Sequence, residues 1–377
     1  MRVRFGDLAP PERQALAALD QRAREAFAES RRVGRDAHAL RVAFERVHPG
    51  LSVERFDQGL IVRARSRELC PLAERVAKQA PPNLTVHNHR PRLAWTEALA
   101  RAESRGGPDF RGARVRAGFT RGHLLELVVS VPGGKGDDAE RELAERLVWD
   151  IAGERRADDW IGGVEVEAAP RGGPLRVLHE RPDDAARLPL SELSAALDAA
   201  ISGIEAGLPQ APLHDSGDGE WNLFELDPET AADYPQKDDL VMAVTRVPEL
   251  LKCFLEASPV SSLRFSRHER FFFLKYESNG HPESRLAERE TLERALDRYL
   301  IAGRAGRVVG GGLGLRYSYV DVALCALDQG LALICEAARE EGLPQRSWIE
   351  CFDSDFADEW LEVWPGAAVP PGQSRSV

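Results

Sequence analysis

At 377 residues, with 43% hydrophobic and 29% charged residues, the chain has the balance of a globular protein and the length of two moderate domains. No apolar run reaches the ~20 residues a membrane helix needs, and Met1–Asp7 lacks the apolar segment of a secretory signal, so a cytoplasmic location is expected. The net charge of −11 is divided: residues 1–125 carry +10 and the remainder −21, and 45 of the 50 basic residues are arginine.

Pro10-Pro11 opens a helix with apolar positions at Leu16, Leu19, Ala23 and Phe27, and a second helix spans about Ala37 to Val47. Strands are expected at Leu51–Phe56 and Leu60–Arg65, a helix from about Glu68 to Gln79, and a strand at Leu84–His89. Two further strands, Ala113–Phe119 and His123–Val131, lead through the flexible link 133–136 into a helix reaching Ile151, and Trp160–Glu167 returns as a strand. Residues 170–189, rich in Pro, Gly, Arg and Asp, read as a linker.

Beyond it, a helix is expected at Leu190–Ala206, a mobile loop at Leu208–Glu220, a strand at Leu240–Val244 and a helix at Pro248–Glu256. Leu263–Arg267 and Arg270–Tyr276 read as a hairpin, and Ser284–Ala302 as a long helix. Gly306–Leu324 then forms a central hairpin, a glycine-rich arm followed by one in which Tyr317, Tyr319 and Asp321 share a face and Arg316, Ser318, Val320 and Val322 the other. A helix at Asp328–Glu341, a strand at Ser347–Phe352 and an edge strand at Trp360–Trp364 follow.

The reading is an α+β protein of two domains, each an antiparallel-rich sheet with helices on one face. The first covers 1–169, the second 190–365, and 366–377 is expected to be a disordered tail. Residues 113–168 and 307–364 share the order strand, strand, helix, strand, which suggests an internal duplication.

Motifs for common chemistry fail. Gly306–Gly314 lacks the lysine of a phosphate loop and feeds a strand rather than a helix, so its glycines are read as room for a bulge or a close backbone. His87 and His89 lack further ligands to complete a metal site, and the five scattered cysteines form no C-x-x-C pair, so neither metal nor cofactor is expected. The best polar constellation is Arg316, Tyr317, Tyr319 and Asp321, which could line a groove for a ligand or partner. Asp353 and Asp355 belong to an acidic cluster that could face a basic partner.

Residues 80–84 with 89–92, 147–154 and 312–321 together resemble an uncharacterised bacterial protein family, some of whose members look like immunity-type proteins encoded near toxins. The resemblance implies a cytoplasmic binding protein and carries over no catalytic residue; the −21 of residues 126–377 would steer a basic partner, so the reading is a protein-binding module that neutralises a basic toxin domain. The alternatives are a hydrolase with its site between Gly310 and Asp321, and nucleic-acid binding through the basic first 125 residues, which few stacking aromatics support.

Overall fold

A computed structural model describes residues 10–32, 37–48, 51–56, 59–64, 70–87, 89–169, 187–217, 219–357 and 359–373. It has the mixed α+β architecture with antiparallel-rich sheets. The chain divides into two compact units: residues 1–117 with 126–197, and 118–125 with 198–377. No helix among the described residues is long and apolar enough to cross a membrane.

The first unit opens with α1 (Pro10–Arg32), α2 (Ala37–Glu45), β1 (Leu51–Phe56), β2 (Gly59–Ala64), α3 (Cys70–Ala77) and β3 (Val86–His87). Phe27, Leu40, Phe44, Leu60, Val62 and Val76 bury one core between these helices and the sheet β1-β2-β3. Then come α4 (Trp95–Ser104), β4 (Arg114–Phe119), β5 (Leu125–Pro132), α5 (Asp138–Ala152), α6 (Glu154–Trp160), β6 (Ile161–Ala169) and β7 (Leu188–Pro189), with sheet order β6-β5-β4-β7.

Asp137 caps α5 by accepting from Glu140 N at 3.0 Å, and Gly153, at φ +82°, ends it. The supposed flexible link wraps round one carboxylate: Glu140 accepts from the N–H groups of Lys135 and Gly136, both at 2.6 Å. Most of the expected linker lies outside the described residues, but its end is β7, which pairs with β4.

α7 (Leu193–Gly207) leads to the second unit, which holds β8 (Asn222–Glu225), β9 (Leu240–Thr245), α8 (Pro248–Leu255), β10 (Arg270–Glu277), α9 (Pro282–Ala302), β11 (Gly306–Gly314), β12 (Tyr317–Leu324), α10 (Leu327–Glu340), β13 (Ser347–Cys351) and β14 (Trp360–Glu362). Its seven strands run β14-β13-β10-β12-β11-β9-β8, each pair antiparallel. From β10 to β13 this is a βαββαβ unit with β10 and β12 at its centre.

The order expected to repeat in the two units does not match: two helices, α5 and α6, separate β5 from β6, whereas α10 alone separates β12 from β13, and the strands are placed differently in their sheets. β10 stands between β12 and β13, whereas β5 and β6 are neighbours.

One face of the large sheet, through Leu274, Val308, Val320, Val322 and Ile349, packs on Leu292, Leu296 and Leu300 of α9 and Ile334 of α10. The opposite face is covered as well, by α8 and by residues 226–240. Residues 263–265 form no hairpin strand. Asp353 accepts from both N (2.5 Å) and Oγ (2.6 Å) of Ser262 and holds Ser262–Arg264 in a 3-10 turn. The supposed mobile loop is also tied down: Leu213 N donates to Glu269 Oε1 at 2.6 Å, and Arg307 donates to the carbonyls of Leu213 and Ser216. Nor is the described part of the tail loose, since Trp348 donates its indole N–H to Ala368 O at 2.6 Å and Ala367 is buried.

Candidate functional site

Antiparallel register sets the site in rows across the second sheet. Gly310, Asp321, Phe273 and Glu350 stand opposite one another on β11, β12, β10 and β13. The next row is Gly312, Tyr319, Lys275 and Trp348. Side chains of a row share one face, so β12 and its neighbours present two acids, a lysine and a tyrosine on the face turned away from α9 and α10.

The glycines make room for what covers that face. A Cβ at Gly310 would lie 2.7 Å from Val244 O, one at Gly312 would strike Leu240, and one at Gly314 would strike the Asp239 carboxylate. A bulge between Val308 and Gly310 adjusts the register.

Residues 233–240 deliver the partners. Lys237 Nζ pairs with Asp321 Oδ1 at 2.5 Å and lies 4.9–5.4 Å from the ring centroids of Phe352, Phe273 and Tyr319. Asp239 Oδ2 accepts from Arg316 N (2.7 Å) and Tyr317 N (2.8 Å), closing the β11–β12 turn, while its Oδ1 accepts from the Tyr319 hydroxyl. Lys275 donates to Tyr234 O at 2.6 Å and lies 4.3 Å from the centroid of the Tyr317 ring. The Tyr317 hydroxyl donates to Asp233 at 2.6 Å and accepts from Arg346 at 2.6 Å. Arg316 donates to Glu277 and to Ala232 O.

Burial governs the protonation of this network. It pushes the Lys237 and Lys275 ammonium groups down, and the charges of Asp321 and Glu350, respectively, oppose it. Burial and the bond to Asp233 push Tyr317 up to about 12, and burial with the Asp239 charge raises Tyr319 well above its ordinary value. Burial pushes Glu350 up to about 7, against the pull of Lys275, and neither of its oxygens has a hydrogen-bond partner. Glu293, which approaches the sheet from α9, is likewise pushed up to about 7 by burial.

Four of the six expected site residues, Arg316, Tyr317, Tyr319 and Asp321, therefore meet in one cluster. They line no open groove, since Tyr319 is 0% and Asp321 2% exposed. The alternation expected along β12 is present, with Tyr317, Tyr319 and Asp321 on one face and Val320 and Val322 on the other, while Arg316 sits in the preceding turn. Asp321 pairs with Lys237.

Asp353 stands apart with Ser262 and Arg270. Asp355 falls in the 3-10 turn Ser354–Phe356, and its side chain lies outside the described residues. The members that sequence reasoning missed include two of the chain's five lysines, Lys237 and Lys275, both fully buried. At these two buried positions a slim ammonium is accommodated, whereas Lys78 and Lys135 are exposed, so lysine by itself does not mark the site.

Beside this network opens a cleft of about 600 Å³, with Tyr234, Lys237 and Phe352 in its wall and Asp227, Glu229, Asp233 and Asp238 round it. Residues 198–240 hold eleven acids and one base, Lys237, whose charge is buried against Asp321. Arg316 and Arg346 reach Asp233. Asp227, Glu229 and Asp238 have no salt-bridge partner among the described residues.

The first unit has a cleft of about 440 Å³ of opposite character, lined by His87, His89, Arg90, Arg92, Arg155 and Arg156. No group of three or more His, Cys, Asp or Glu among the described residues is placed to hold a metal ion. Set against protein-family models, curated proteins and solved structures, the chain finds no match.

Proposed function

We propose that the chain is a cytoplasmic protein-binding module, of immunity type, that takes a basic partner on the acidic cleft of its second unit. The observation that carries this reading is the set of exposed carboxylates round the cleft, Asp227, Glu229 and Asp238, which have no ion-pair partner among the described residues in a stretch whose one lysine is withdrawn into the core. Exposed carboxylates round an apolar-walled cleft steer and select a cationic partner, and their contribution falls with salt. The network beneath holds the covering segment to the sheet and so fixes where those carboxylates stand. A hydrolase using Asp321 and Tyr319 would need solvent access that neither residue has.

The test is titration with an arginine-rich peptide at two salt concentrations, on the wild-type chain and on the variant Asp227→Lys, Glu229→Lys, Asp238→Lys. The expected result is salt-sensitive binding that the variant weakens by about tenfold or more, with an unchanged melting temperature. Equal binding by the two proteins removes the basis of this reading.

A further inference from the structure

Folding brings together two residues 111 positions apart, Cys325 and His214, with Sγ 3.6 Å from Nδ1. Cys325 is the half-exposed residue that follows β12, fixed by its N–H to Ala305 O at 2.9 Å. Cys253, Cys335 and Cys351 are buried. The His214 side chain is 5% exposed, and its other nitrogen, Nε2, is buried without a hydrogen-bond partner, 3.6 Å from Asp215 Oδ1. A hydrogen on Nε2, facing the carboxylate, leaves the lone pair of Nδ1 facing the thiol, which has Arg304 O at 3.4 Å as its other acceptor.

The turn that carries His214 is held by buried charge. Glu269, 3% exposed, accepts from Leu213 N, and Arg307, 7% exposed, donates to the carbonyls on both sides of His214–Asp215. Arg304 pairs with Asp215 at 3.2 Å. Buried ions are expensive as stability devices, and here two of them fix the position of one imidazole. Just beyond Cys325, α10 begins at Leu327 behind Ala326, which offers no side-chain cap, so its first-turn N–H groups remain available to an oxygen.

We propose that Cys325 and His214 form a nucleophile–base pair that accepts acyl groups from esters or thioesters. As Sγ adds to the carbonyl carbon, the thiol proton passes to Nδ1 of His214. The carbon–oxygen or carbon–sulfur bond of the leaving group breaks, and that group departs as alcohol or thiol with the same proton. The acyl group remains on Sγ as a thioester until water, deprotonated by the same imidazole, releases it as an acid. Burial, with the Glu269 and Asp215 charges, holds the Cys325 thiol above its ordinary range, so the pair rests as thiol and works by base-assisted attack.

The test uses the full chain with p-nitrophenyl acetate, an acid quench and peptide mass spectrometry. Acetyl is expected on Cys325, forming about tenfold or more faster in the native chain than on the same peptide in urea. His214→Gln should bring the native rate down to the unfolded one, and Cys325→Ala should abolish the label. No acetyl on Cys325, or a native rate no higher than the unfolded rate, overturns the proposal, and this comparison needs only the wild-type protein. An unchanged rate in a folded His214→Gln variant overturns the role of the base.

Discussion

The two faces of the seven-stranded sheet are built from the same strands and held by different physics. Toward α9 and α10, Leu274, Val308, Val320, Val322 and Ile349 meet leucines and isoleucine, and burial of apolar surface is enough. On the other face Lys275, Tyr319, Asp321 and Glu350 meet a segment without regular structure that brings Asp233, Lys237 and Asp239. Apolar packing tolerates a range of partners, whereas a buried ion accepts only a position that matches its charge. The helix face thus supplies adhesion, and the polar face specifies how residues 226–240 lie.

Breaking the buried pair tests this contrast most severely. Asp321→Asn leaves the Lys237 ammonium uncompensated and should destabilise the second unit by about 4 kcal/mol in chemical denaturation. Lys237→Met with Asp321→Leu should recover most of that loss, since neither charge is then buried. A double variant as unstable as the single one would show that shape, rather than charge, governs the fit on this face.

On the helix face, Leu296→Ala should destabilise by about 3 kcal/mol through a cavity, with no dependence on pH or salt.

The third contrast is pH. Glu350 rises from an ordinary 4.5 to about 7 in the folded state. Between those values the native state therefore binds the proton more tightly than the unfolded chain. Its contribution is fully present below 4.5, declines as pH rises to about 7, and is absent above. Glu350→Gln should flatten that decline, raising stability at alkaline pH relative to wild type by about 3 kcal/mol. Glu293 shifts in the same direction and leaves a residual slope. A variant whose stability falls with pH as steeply as the wild type would remove Glu350 from the account.

What could be read beforehand was what period and local chemistry determine. The period of two along 317–322 divides Tyr319 and Asp321 from Val320 and Val322, and the glycines before them lie in close backbone contact as expected. What could not be read depends on partners distant in sequence. Leu263-Arg264-Phe265 alternates like a strand until Asp353, 91 residues beyond Ser262, claims that serine's N–H and hydroxyl. α4 was missed because Ala94, its cap residue, gives no capping signal. Whether the face of Tyr317, Tyr319 and Asp321 is open or covered could not be read for a related reason: nothing in 226–240 reads as a cover, since its few apolar residues show no period. Cys325 is one of five scattered cysteines in the sequence, and only the fold sets His214 beside it.

The grip of Asp239 on the β11–β12 turn also constrains the order in which the second unit can assemble. The turn N–H groups find their acceptor 77 and 78 residues earlier in the chain, and the first arm of the hairpin, rich in glycine, has little intrinsic tendency to be a strand. Such a hairpin has no local nucleus. Its turn gains these acceptors only once a long loop has been ordered and β9 with its preceding segment has arrived, so the centre of the sheet is expected to form late. Until then β10 and β12 offer bare edges to other chains, and the yield of folded protein should depend on concentration more strongly than its final stability would suggest.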